Sequence, residues 1–208
     1  AIIAFWGAPL DLPNHATVAC HATIDMQRRG EELRKMLREQ SRPLLFTRMG
    51  LNSGPVVVGN MGSAERMDYT MMGDVVNLAA RLEGANKFYK TFSMISGSTY
   101  ELAKDDIDSR QLDIIRVVGK NEPVPVHELL ARKNETSGEM SGVVEQYMKG
   151  LKLYQDRNFS DAIAEFEKVL SIDSEDGPSQ TYIKRCGMFL ESPPEKDWDG
   201  VFTFTEKG

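Results

Sequence analysis

Apolar and polar positions alternate along the chain in two textures, a mixed region first and a purely helical one after it. Residues 1–6 (AIIAFW) form an apolar run that predicts a strand, ended by Gly7, Ala8 and Pro9. Over residues 15–39, Val18, Ala22, Met26, Leu33 and Leu37 make an apolar stripe at helical spacing. Arg28, Arg29, Arg34 and Lys35 are interleaved there with Glu31, Glu32 and Glu39, the pattern of a solvated helix face. Residues 44–52 and 56–58 predict two strands joined as a hairpin through Ser53, Gly54 and Pro55. A short strand over 67–72 turns at Gly73 and Asp74 into a helix over 75–88. A strand over 92–96, a short helix over 98–104 and strands over 112–118 and 124–130 follow. Strands and helices mixed in this way predict an α/β or α+β region.

Residues 133–142 are polar and contain glycine, which marks a linker, taken as 134–141. Beyond it only helical patterns remain. Tyr147, Gly150, Leu151 and Tyr154 form one face, and Phe159, Ala162, Phe166, Val169 and Leu170 form the next. A third helix is predicted over 179–190, after Gly177 and Pro178. Ala162 and Phe166, following Arg157-Asn158-Phe159, resemble the second helix of a tetratricopeptide repeat. About one and a half repeats are too few for the ~3 that a free-standing array needs. These helices are therefore expected to pack on the first region, on each other or on a protein partner. The organisation read from the chain is 1–133, a linker, 142–191 and a tail over 192–208 that carries Trp198, Phe202 and Phe204.

Composition narrows the function classes. The 208 residues carry a net charge of -6, which argues against nucleic acid or an anionic membrane as the main partner. No apolar run reaches the ~18 residues of a membrane span. Cys20 and Cys186 are unpatterned and fit reduced thiols in a cytoplasmic compartment. His15, His21 and His127 share no metal spacing with them, and no metal ligand is assigned. An apolar strand opening at Ala1, with no initiator Met, reads as a piece of a longer polypeptide, whose upstream part could reach a membrane.

Chemistry concentrates in residues 69–83 (YTMMGDVVNLAARLE). Asp74 is a good N-cap residue. Asn77 falls in the first turn, near the positive end of the helix, and Arg81 lies one turn later on the same face. Val75, Leu78, Ala79 and Leu82 take the opposite side and are expected in the core. An amide and a guanidinium at i and i+4 can hold a ring oxygen and a phosphate together; equally, such a pair can be an ordinary solvated face. The spacing of Gly54, Gly59 and Gly62 fits neither a P-loop nor a dinucleotide fingerprint.

This stretch resembles the signature of the class III nucleotide cyclases. Residues 1–9 resemble the strand after that family's Gly-Asp, residues 50–62 (GLNSGPVVVGNMG) its central hairpin, and residues 118–124 (VGKNEPV) its last hairpin. The helical end is similar to extensions found after some bacterial cyclase domains. The resemblance implies an α+β, ferredoxin-like (βαββαβ) core lacking its first strand, followed by a small all-α extension. It implies two domains meeting head to tail, a homodimer being expected, with each site drawing on both. One partner holds two Mg2+ or Mn2+ ions on aspartates, and the other supplies Asn77 to orient the ribose and Arg81 to stabilise charge at the α-phosphate. Thr70 falls where the family contacts the purine, and Thr there tilts the substrate toward ATP. Lys120 is the triphosphate candidate, although an accompanying lysine of the family is replaced by Val118.

The family's metal aspartates would precede Ala1, and Asp68 and Asp74 are no substitutes for them. The resemblance therefore implies a parent adenylate cyclase, making cyclic AMP and pyrophosphate, and a chain that makes essentially none alone. The competing reading is a degenerate cyclase-homology module that binds nucleotide or dimerises while its helical extension docks a partner.

Overall fold

The computed structural model describes residues 2–63, 66–116 and 122–203. In chain order it contains α1 (His15–Glu39), β1 (Met49–Leu51), β2 (Val57–Ser63), β3 (Arg66–Met72), α2 (Asp74–Tyr89), β4 (Ser93–Ser96) and α3 (Gly97–Ala103). There follow β5 (Ile107–Arg116), β6 (Val124–Arg132), α4 (Gly138–Gln155), α5 (Phe159–Ile172), α6 (Gly177–Glu191) and β7 (Phe202–Thr203). Five strands form one sheet in the order β1-β4-β6-β5-β7, and β2 and β3 form a separate antiparallel hairpin. The α+β class expected from the sequence holds.

The sheet is covered on both faces, so β4 is buried throughout, as a strand in a middle layer must be. Its alternate residues enter different cores. Ile95 packs with Ala16, Cys20 and Ile24 of α1 and with Ala103, Ile107 and Leu129. Met94 points the other way, into a cluster that joins Leu78, Leu82 and Tyr89 of α2 to Leu112, Ile115 and Val126 of the sheet. Val143, Tyr147, Leu151, Phe166 and Tyr182 of α4–α6 complete that cluster, so the last helices share a core with the sheet. Leu82, Met94, Leu112 and Ile115 are fully buried, and each such side chain contributes about 1.5–3 kcal/mol. Gly150 lets α4 and α5 approach closely: a Cβ there would lie 2.8 Å from the Phe166 ring. Trp198 closes the end of the cluster, edge-on to Tyr154 at 5.4 Å between ring centroids.

Three expectations are corrected. Residues 2–6 are not a strand: among the described residues nothing pairs with them, and Ile2 is 98% exposed. Segments 44–52 and 56–58 do not form a hairpin with each other. Within 44–52 only Met49–Leu51 is strand, parallel to β4, whereas Val57 and Val58 belong to β2, which pairs with β3. The cause is polar anchoring at the turn between them. Asn52 donates to the Val75 carbonyl at 3.0 Å, the Ser53 and Thr99 hydroxyls lie 3.0 Å apart, and Ser98 donates to the Ser53 carbonyl at 3.0 Å. These bonds carry the chain out of the sheet before the hairpin begins. The third correction concerns Asp74, which is the first helical residue of α2 rather than its cap.

Candidate functional site

The site is built on α2. Gly73 stands at its head with φ 149° and ψ 161°, a conformation essentially restricted to glycine. The Gly73 carbonyl accepts from the N–H groups of Val76 and Asn77 at 3.1 and 3.4 Å. Asp74 makes no side-chain cap bond, but its charge in the first turn suits the positive helix end. At the other end Lys90 adopts the left-handed conformation, and Asn86 donates to the Met49 carbonyl at 3.0 Å. Gly50 seats β1 directly on the helix backbone, since a Cβ there would lie 2.3 Å from the Ala79 carbonyl oxygen. Leu78, Leu82, Ala85 and Tyr89 are buried and fix which way α2 is turned.

That orientation leaves Asn77 and Arg81 exposed, one turn apart on the same face. Neither side chain has a hydrogen-bond or ion-pair partner among the described residues. Val75 and Ala79, expected in the core with Leu78 and Leu82, instead line a cleft of about 360 Å³ between α1, the β2–β3 hairpin and α2. At 100° per residue, Asn77 and Arg81 fall on the side of α2 opposite that cleft. Thr70 is half-buried and pairs with Gly59, whereas the next pair along the hairpin, Met71 with Val58, borders the cleft. Strand alternation puts Thr70 on the other face of the hairpin. The chain's own cleft is thus not where the three expected residues meet. Lys120 lies outside the described residues, as does Val118.

Among the described residues no three His, Cys, Asp or Glu side chains come together as a metal site. None of the described residues is assigned to the pair of divalent ions that the resemblance implies. No helix among the described residues is long and apolar enough to cross a membrane.

Sequence reading missed a buried polar network beneath α2. Tyr89 donates to Asp113 at 2.6 Å, and Arg185 reaches the same carboxylate at 2.5 Å and the Tyr89 hydroxyl at 3.2 Å. Burial pushes the Tyr89 phenol well above its usual range, and the Asp113 charge adds to this. Burial alone would favour losing the proton of Arg185, but Tyr89 and Asp113 outweigh it and hold the guanidinium charged. A second buried arginine, Arg110, bonds Glu128 at 2.7 Å and Asp176, the N-cap of α6, at 2.7 Å. The one sequence signal was the charge of Asp113 inside the strand expected over 112–118.

Residues 3–131 match the model of the adenylate and guanylate cyclase catalytic domain, and the chain belongs to that family. Adenylate cyclase 1 of Rhizobium meliloti is 35% identical over 130 residues, 62% of this chain and 20% of that protein. The terminal-differentiation-specific adenylate cyclase of Dictyostelium discoideum is 32% identical over 144 residues, 67% of this chain and 7% of that protein. The chain thus spans a fifth or less of the length of these two relatives. The adenylyl cyclase CyaB from P. aeruginosa superposes with a TM-score of 0.55 at 33% identity, covering 64% of this chain and 68% of that one. The guanylyl cyclase Cya2 gives 0.54 at 28% identity, covering 64% and 66%. The family match ends before α4 begins.

Proposed function

We propose that this chain supplies the transition-state half of an adenylate cyclase site, completed by a second cyclase domain, most simply a second copy. In the reaction the ribose 3'-oxygen of ATP bonds to the α-phosphorus, the bond to the pyrophosphate oxygen breaks, and the 3'-hydroxyl loses its proton. The Asn77 amide holds the ribose in line for that attack. Arg81 lays its planar donors against the α-phosphate oxygens, where negative charge grows. Thr70 contacts the purine edge and Lys120 the triphosphate. Mg2+ or Mn2+ belongs to this reaction, with ligands supplied by residues other than those described.

The observation that carries the reading is the exposure of Asn77 and Arg81 side by side on the α2 face opposite the chain's own cleft. A substrate held by them must be approached from outside the chain. ATP rather than GTP is favoured by Thr70 and by the names of the adenylate cyclases that this chain resembles. ATP as substrate assigns the activity to the cytoplasm. On this reading residues 1–133 are the cyclase domain, 134–141 a linker and 142–191 a tetratricopeptide-like extension.

The test is complementation. The chain alone is expected to make essentially no cyclic AMP. Mixed with a cyclase domain that keeps its metal aspartates but has lost its own Asn and Arg, it should restore ATP turnover. Demonstrated association without recovered activity would refute the half-site assignment.

A further inference from the structure

We propose that α6 is a positioning strut for α2, with Arg185 as its positioning residue, so that the last helices set where Asn77 and Arg81 stand in the completed site. The inference rests on the half-site reading above and adds to it a role for residues beyond the family match.

Four contacts tie α6 to the C-terminal end of α2. The Thr181 hydroxyl lies 2.8 Å from the Phe88 carbonyl in the last turn of α2 and 2.9 Å from the Gly177 carbonyl of its own helix, so its one proton is shared between the two helices. Lys90 donates to the Gln180 side chain at 2.6 Å. Gly177 packs directly on the backbone, since a Cβ there would lie 2.4 Å from the Tyr89 carbonyl oxygen. Arg185 then grips the Tyr89 hydroxyl and Asp113 together, which locks the last residue of α2 to β5. The α6 N-terminus is held from the opposite direction, by Arg110 of β5 on Asp176. Two buried arginines, one from each side, therefore fix α6 against the sheet while α6 fixes α2.

A buried ionic network is a poor device for stability, because apolar side chains of the same volume often do as well. What it does supply is a single geometry, since Arg185 reaches Asp113 and the Tyr89 hydroxyl together only at one position. Arg81 lies eight residues before Tyr89, about 12 Å along a continuous helix. A shift or rotation permitted at Tyr89 is carried along that helix to the guanidinium of Arg81. Misplacing a reacting group by about 1 Å can cost on the order of a hundred-fold in rate.

The experiment measures cyclic AMP formation by the full-length protein carrying Arg185→Met with Asp113→Asn, which removes both charges and leaves a neutral amide facing the Tyr89 hydroxyl. Arg81→Ala is the parallel control. The strut requires kcat to fall ten-fold or more, KM for ATP to stay within about two-fold, and the melting temperature to stay near that of the wild type. Hydrogen exchange should quicken along all of α2, including residues 77–81. Native kcat in a folded double variant, with Arg81→Ala inactive, overturns the strut and spares the half-site. An active Arg81→Ala protein overturns both. If the double variant does not fold, Thr181→Val carries the test: a two- to five-fold lower kcat at unchanged KM supports the strut, and an unchanged kcat overturns it.

Discussion

The hydroxyl of Tyr182 donates to the backbone carbonyl of Leu112 across 2.9 Å, joining the last helix to the residue of β5 that β6 skips. Gln111 pairs with His127 and Asp113 with Val126, so Leu112 sits in a bulge without a ladder partner. Tyr147 of α4 donates to the same carbonyl at 2.9 Å. A buried carbonyl must be paired somewhere, and here two helices outside the family match do it. Tyr147→Phe or Tyr182→Phe alone should cost about 1 kcal/mol, because the other hydroxyl remains. Together they should cost more than the sum, by about 1–3 kcal/mol for the orphaned carbonyl. A double-mutant cycle by urea unfolding reads this directly.

His127 gives a pH signature. It stacks on Tyr100 with ring centroids 4.1 Å apart and is buried, which pushes its pKa down to about 4, opposed only in part by the Glu101 charge. The unfolded chain takes up this proton near pH 6.5, so between there and pH 4 it binds more protons than the folded protein. Stability should therefore fall as pH drops through that window, by up to about 3 kcal/mol from this group. His127→Phe keeps the stacked ring and should flatten that part of the stability profile measured by denaturant melts.

Cys20 and Cys186 are both fully buried, and burial pushes each thiol up to about 12. The thiolate is the reactive form, so neither should be modified by a thiol reagent at about pH 8 in the folded protein. Both should react once urea unfolds the chain. Rapid titration of either thiol in the native state would contradict their placement.

Much of the fold was legible because its helices bury one stripe each. The 15–39 helix matches α1, and α2 differs from the 75–88 expectation by one residue at either end. The exposure of the Asn77–Arg81 face could be read because Leu78 and Leu82 fix which way the helix is turned. The separation of β1 and β2 into different sheets could not be, since polar bonds from Asn52 and Ser53 to Val75 and Thr99 decide it. The Tyr89–Asp113–Arg185 network was equally hidden, its members lying 24 to 96 residues apart in the chain. No local pattern registers such contacts. Val75 and Ala79 show the limit of periodicity: their side of the helix was right, but it faces a cleft instead of a packed core.

Asn77 and Arg81 are exposed, so replacing them is expected to leave the fold intact and to separate chemistry from stability at this site. Substitution of exposed residues without partners should leave stability within about 0.5 kcal/mol. Loss of a donor aimed at transition-state charge should lower kcat on the order of a hundred- to a thousand-fold. The decisive measurement is kcat for ATP in the full-length protein carrying Arg81→Ala, with its melting temperature taken alongside. Turnover should collapse while melting is unchanged; near-native turnover in that folded variant would contradict the half-site role of α2.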